Sequence, residues 1–524
     1  MKLRTIVKIA ITSSVVLLCS GFALYSFFRL SAAEGQKDFD LYELVPSTTS
    51  AVFVTDDVLE FVAEVDDLTC SKNQQYLYVS KLFSYLKQSL YALSEDTPHG
   101  LSRQMNQMLI SFHEPDNERN QVLYCRLGNG DKELVNRFVR KYISSLYPPK
   151  TFVYKGEEII IYPMADGDFL ACYLTSDFMT LSFQKKLIEN VIDAYKSDKS
   201  LADDPTFTGV RAPKKSAAAA TIYARMKGMM GWTEFDMKMK DDFIYFSGIT
   251  HDADTCFAFI NQLRQQQSVK GFPGEVLPST AFYFSRQGIT DWVSLLSYGN
   301  AQGQSVPART SEVQNRDKEF SRYLMENAGQ DLVACLFQRE DTLQGAAAVL
   351  SLSVADVTEA ERMLRALVNA ASADEGRRNP RITFCYTVNK AYPIYRLPQT
   401  TLFEQLTSFA EPTLDVYAAF YGGRLLLAPD ADALAHYIRQ LDKGEVLNGA
   451  MVYQTGMDHL SDSYHFMLMV DFDHIFQQSE NHVRFVPDFF LRNADFFRHF
   501  TLFVQFACAD GVVYPNIVLK YKSE

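Results

Sequence analysis

Positive charge is scarce in this chain of 524 residues. Its 51 Lys and Arg stand against 63 Asp and Glu, a formal net charge of −12. A nucleic-acid partner needs a basic face for the phosphate backbone, so the charge balance argues against nucleic acid. The eight cysteines fall at irregular spacings without a C-x-x-C pair. Cys125, Cys172, Cys335 and Cys385 sit in strand-like apolar runs and read as free buried thiols that behave as small apolar side chains. Cys19 lies within the apolar stretch 9–28, which leaves seven cysteines beyond it. An oxidising exterior would permit a disulfide among those seven and leave one thiol unpaired.

Catalytic motifs are missing as well. No G-x-S-x-G elbow lifts a serine above a sheet, and no cysteine carries a local protease signature. Gly128-Asn129-Gly130 lies between a strand and a helix, but Glu133 stands where a dinucleotide fingerprint needs a third glycine. It reads as a tight turn with Asp131 capping the helix. Asp471-Phe472-Asp473-His474, with His465 nearby, has neither calcium-loop nor H-E-x-x-H spacing. In a strand Asp471 and Asp473 share one face and His474 points to the other, so no metal site is expected. The acid pairs Glu157-Glu158, Asp203-Asp204 and Asp241-Asp242 read as solvated or turned apart. The chain is therefore expected to be no enzyme and to need no cofactor. A hydrolase triad assembled only by the fold stays open as an alternative, because triads are defined by geometry.

Apolar residues make up 47% of the chain and aromatics 13%, ample for hydrophobic cores. Residues 9–28 form an uncharged run long enough to cross roughly 30 Å of hydrocarbon as a helix. Lys2, Arg4 and Lys8 precede it, while Arg29, Glu34, Asp38 and Asp40 follow. The Lys/Arg bias predicts a cytoplasmic N-terminus and an extracytoplasmic globular region on an inner membrane. The rival reading is a signal peptide cut near Ala33, after Ser31-Ala32-Ala33, with release to the periplasm.

Element order recurs along the chain. Leu44-Val45-Pro46-Ser47-Thr48 leads into an apolar strand at 51–54 and a helical stripe at Val58, Phe61, Val62 and Val65. Val276-Leu277-Pro278-Ser279-Thr280 leads into a strand at 281–284 and a stripe at Ile289, Trp292, Val293 and Leu296. Both stripes have the i, i+3, i+4, i+7 spacing of one helix face. A strand at 122–127 with a stripe at Val135, Phe138, Val139 and Tyr142 has its counterpart in a strand at 347–352 with Ala360, Met363, Leu364 and Leu367. The hairpin turning at Ser176-Asp177 matches the one at Gly422-Gly423, and an offset of 246 residues relates Ser176 to Gly422, Phe207 to Tyr453 and Tyr223 to Met469. The ends are expected to differ: a helix at 253–263 closes the first half, and a strand pair about Asp510-Gly511 closes the second.

The Pro-Ser-Thr opening, the N-terminal apolar segment and Ser200-Leu201-Ala202-Asp203-Asp204-Pro205-Thr206-Phe207 together resemble domain of unknown function 3352. That resemblance implies an uncharacterised, membrane-anchored bacterial envelope protein and supplies no active site. The second half matches less well, with Asn448-Gly449-Ala450-Met451-Val452-Tyr453 in place of the acidic string. The expected fold class is α+β: a single N-terminal transmembrane helix followed by two related halves, each with a largely antiparallel sheet covered on one face by helices. The expected boundaries are 1–8 cytoplasmic, 9–28 transmembrane, 29–40 linker, 41–267 first half, 268–274 linker and 275–524 second half.

One cluster suggests a binding surface. Phe485, Phe489, Phe490, Phe496 and Phe497 head an aromatic run that continues through Phe500, Phe503 and Phe506. Such rings suit either a core or an apolar groove. The sequence leads first to a non-catalytic envelope module that binds or scaffolds another protein. Its alternative is a protein that binds an apolar small molecule or lipid through the aromatic-rich second half.

Overall fold

The computed structural model describes residues 39–73, 105–113, 119–128, 131–138, 147–164, 167–197, 199–211, 218–225, 231–250, 258–290, 292, 311–339, 346–374, 381–388, 390–397, 416–477 and 486–522. In chain order its strands are β1 Ala51–Thr55, β2 Met108–Phe112, β3 Gln121–Arg126, β4 Lys150–Tyr154, β5 Glu157–Pro163, β6 Phe169–Leu174, β7 Phe178–Ser182, β8 Ala220–Ala224, β9 Thr233–Lys240 and β10 Phe243–Thr250. There follow β11 Val269–Lys270, β12 Ala281–Gly288, β13 Ala328–Gln338, β14 Ala346–Val354, β15 Ile382–Tyr386, β16 Ala391–Leu397, β17 Val416–Tyr421, β18 Arg424–Ala428, β19 Ser463–Tyr464, β20 Phe466–Asp471, β21 Phe500–Ala509 and β22 Val512–Tyr521.

Twenty of these strands form one sheet. Its order is β4-β5-β6-β7-β3-β2-β1-β8-β9-β10-β22-β21-β20-β12-β13-β14-β18-β17-β16-β15, and every neighbouring pair is antiparallel. Read inward from either outer strand, the connectivity is the same. The helices Lys185–Ser197 and Ala431–Asp442 begin 246 residues apart, as do β7 and β18, and β8 and β20. The two parts meet where β10 pairs with β22. Ser247 and Asn516, equally far from the turn residues Asp241 and Asp510, are partners in that pairing, as a twofold axis through the sheet requires.

The expected fold class needs correction. The molecule is largely sheet, and it holds one continuous sheet in place of two separate ones. The physical reason is the edge: β10 and β22 would each end their part with a row of unpaired N–H and C=O groups, and their mutual pairing satisfies both. The period-2 pattern of a strand reports which face is buried and is silent about its lateral neighbour. The transmembrane helix is also without support, since no described helix is long and apolar enough to cross a membrane. Residues 9–28 lie outside the described residues.

Helices cover both faces of the sheet, another departure from the one-face expectation. In the first half, Val58, Phe61, Val62 and Val65 of helix Val58–Asp67 pack with Phe53 and Ile110. Leu187, Ile188, Val191 and Ile192 of helix Lys185–Ser197 pack on the other face with Val52 and Val54. In the second half, Leu434, Tyr437 and Ile438 of helix Ala431–Asp442 pack with Phe284 and Val333. The opposite face carries helices Ser311–Asn327 and Val357–Asp374, which bury Phe320, Leu364 and Leu367 against Leu350 and Leu352. Burial on both faces explains why these strands read as near-continuous apolar runs.

The ends are more alike than expected. Thr233–Lys240 forms a strand in the first half, paired with β10 through a turn at Asp241, where φ is 51°. The second half turns at Asp510 and Gly511, with φ of 50° and 78°. The closing helix of the first half spans Ala258–Gln265. Residues 268–274 are pinned in part by pairing of β11 with β19.

Candidate apolar ligand site

Three cross-strand rows on one sheet face of the second half form the floor of a cavity of about 320 Å³. Alternation along the strands points Tyr283, Ser285 and Gln287 of β12 to the same side. Their neighbours are fixed by register: Leu332–Gln287–Phe466, then Ala334–Ser285–Leu468, then Tyr283–Val470–Leu502. The middle row is hollow because Ala334 and Ser285 are small. Phe472, Val486, Pro487 and Phe490 supply the remaining wall.

Among the described residues the corresponding row of the first half is filled. Pro46 bridges to Ser200 and Pro278 bridges to Val446, so Phe53 is the counterpart of Ser285. The first-half row is Ile110–Phe53–Ile222. Phe53 is buried there and meets the Phe61 ring edge-on at 5.2 Å. A phenyl ring fills what a hydroxymethyl group leaves open.

The wall beside this row comes from a connection peculiar to the second half. Residues 472–499 link β20 to β21, whereas 225–232 suffice between β8 and β9. Within that connection Phe490 stacks on Phe472 at 4.9 Å and meets Phe497 at 4.8 Å. Phe489 and Phe496 lie 5.6 and 5.0 Å from Phe497. Of the five aromatic residues singled out from the sequence, Phe490 lines the cavity. Phe497 is buried, Phe489 and Phe496 are half-buried in the ring cluster, and Phe485 lies outside the described residues. Nothing local marks Ser285, Gln287 and Ala334, because small and polar residues in a strand become a site only through what stands opposite.

The lining is almost wholly apolar. Burial pushes the Tyr283 hydroxyl up to about 12 despite a hydrogen bond with Ser285, so it stays neutral at physiological pH. Gln287 Nε2 is buried and has no hydrogen-bond partner among the described residues.

The other motifs have structural roles. Asp471 caps the helix Phe472–Phe476 by accepting from the Asp473 and His474 amides, and Lys522 Nζ lies 2.7 Å from its Oδ1. Burial alone would raise the Asp471 pKa; the His474 hydrogen bond and Lys522 bring it below the usual carboxylate range. His465 Nδ1 accepts from the Cys508 amide at 3.1 Å. Asp131, the first residue of helix Asp131–Phe138, accepts from the Gly128 amide at 2.6 Å, so its carboxylate closes the turn rather than capping the helix amides; Asn129 and Gly130 lie outside the described residues. Glu157 pairs with Lys196 at 2.7 Å, Asp204 caps helix Pro205–Thr208, and Asp241 makes the β9–β10 turn. Cys70, Cys125, Cys172, Cys335, Cys385 and Cys508 are free thiols, and burial pushes Cys125 and Cys172 up to about 12. Cys19 and Cys256 lie outside the described residues.

The stretches that carry the sequence resemblance form a clasp. Pro46 bridges to Ser200, the Leu201 amide donates to Val45 at 2.7 Å, and the Ser200 amide donates to Asp203 at 3.0 Å. Phe207 is fully buried, its ring 5.1 Å from both Tyr42 and Tyr223. These residues tie the segment leading into β1 to the stretch that follows helix Lys185–Ser197.

No curated protein and no solved structure matches the chain. Residues 101–238, from just before β2 into β9 and including the Ser200–Phe207 side of the clasp, match the family described as "Protein of unknown function (DUF3352)".

Proposed function

We propose that this protein is a non-catalytic binding protein that takes up an apolar small molecule or the hydrocarbon chain of a lipid in the cavity of its second half. The observation that carries this reading is the hollow Ala334–Ser285 row beside Phe472 and Phe490, at a place where the first half is filled by Phe53. Small-molecule sites are concave and mostly apolar with a few placed polar groups, and about 300 Å³ is the lower end of their range. The cavity has that composition and that size. Transfer of apolar surface out of water then supplies the affinity, at roughly 25 cal/mol per Å² buried.

Titration with the neutral dye Nile red tests the reading. Ala334→Phe adds a ring to the hollow row beside Ser285, the counterpart of Phe53. Wild-type protein is expected to show a saturable rise in dye fluorescence, most of which Ala334→Phe abolishes while keeping the far-UV circular dichroism. Equal saturable binding by the folded variant would overturn the reading.

A further inference from the structure

We infer that the ligand is electrically neutral where it enters the cavity and carries a carbonyl-type hydrogen-bond acceptor placed at Gln287. This rests on the cavity reading above and narrows it to esters, amides and ketones bearing a hydrocarbon chain.

Two independent observations lead there. First, among the described residues no Asp, Glu, Lys, Arg or His lines the cavity. The adjacent Arg286 alternates to the opposite face, where its Nε is 2.9 Å from Asp331 and its Nη1 donates to the Gly271 carbonyl at 2.7 Å. Lys522 is held by Asp471. A carboxylate or phosphate in the cavity would be stripped of water with no counter-charge from the described lining, which is strongly unfavourable. Second, Gln287 Nε2 is a buried donor without a partner among the described residues. A primary amide carries two donor hydrogens, and a buried donor left unmet destabilises the fold.

The rows give the ligand a direction. Gln287 lies in the Leu332–Gln287–Phe466 row at one end of the floor, and the other end is the Tyr283–Val470–Leu502 row. The acceptor therefore sits at Gln287 and the hydrocarbon runs across Ala334 and Ser285 toward Leu502.

Displacement of Nile red from the full chain at pH 8 by methyl octanoate, octanoate and decane tests the inference. Methyl octanoate is expected to displace the dye at far lower concentration than ionised octanoate. In Gln287→Leu the ester-to-alkane affinity ratio is expected to fall about fivefold, the worth of one hydrogen bond, with decane still bound. Octanoate displacing as well as its ester would overturn the inference, and so would an unchanged ester-to-alkane ratio in the variant. The ester-against-carboxylate comparison uses wild-type protein and so does not depend on the variant folding. If neither decane nor ester displaces the dye, the cavity reading itself fails; if decane displaces it without these differences, only the inference falls.

Discussion

Asp331 shows how the second half handles charge in its interior. Its carboxylate accepts from Arg286 at 2.9 Å, Arg424 at 3.2 Å and Ser353 at 3.1 Å. Burial would raise its pKa, but the two guanidinium groups bring it below the usual carboxylate range. These partners lie 45 and 93 residues away along the chain, so no local pattern could announce them. The phenylalanines of 489–497 were legible because their density alone is unusual. His113 supplies a pH test at the same scale. Burial lowers its pKa to about 4, against 6.5 in the unfolded chain, and its Nε2 lies 2.9 Å from Ser111 Oγ. Between those values the unfolded state binds more protons, so stability falls as pH falls. From pH 7 to 4.5 this one group is expected to cost about 2 to 3 kcal/mol. Urea midpoints of wild type and His113→Gln across that range check it: the variant should lose less stability on acidification, and parallel curves would contradict the assignment.

At the scale of elements, the helical stripe at Val58 to Val65 was legible because all four residues are buried at one helix face. The hairpins at Ser176 and Gly422 were legible because turn chemistry is local. The strand Thr233–Lys240 went unread although Phe235, Met237 and Met239 alternate with Glu234, Asp236 and Lys238 as in a half-buried strand. Its edges are satisfied by β8 and β10, one near and one adjacent in sequence. The outer strands bear on the other function read from the sequence, scaffolding of a protein partner. As a hypothesis, β4 and β15 could each accept an added strand, for Phe152, Val153, Phe384 and Tyr386 are exposed there. Crosslinked adducts mapping to these strands, and weakened by Val153→Lys with Phe384→Lys, are the expected outcome. Adducts that map elsewhere and survive both substitutions would remove the hypothesis.

For the molecule as a whole, the sequence disclosed a recurring order of strands and helices, while the joining of β10 to β22 emerged only from the fold. That junction makes one body of two similar parts, and it also permits their asymmetry. Phe53 fills the first-half row, whereas Ser285 and the long 472–499 connection leave the second half hollow. The shared core runs across the junction, with Phe53, Ile244, Leu519 and Phe497 in one cluster. The two parts are therefore expected to unfold together. The chain has two tryptophans, Trp232 in the first half and Trp292 in the second, both buried. Trp232→Phe and Trp292→Phe each leave one reporter, and their fluorescence-detected urea transitions, corrected for any shift seen by circular dichroism, are expected to coincide with the global transition. Separate midpoints for the two halves would contradict a continuous, cooperative sheet.

The central claim is that the hollow beside Phe490 holds an apolar ligand, and photo-crosslinking reaches it most directly. A neutral alkyl ester bearing a diazirine near the end of its chain, irradiated with the full protein and mapped by peptide mass spectrometry, is predicted to label β12, β20 or the segment around Phe490. That labelling should disappear in Ala334→Phe. Labels confined to other segments, or undiminished in the folded variant, would contradict the account.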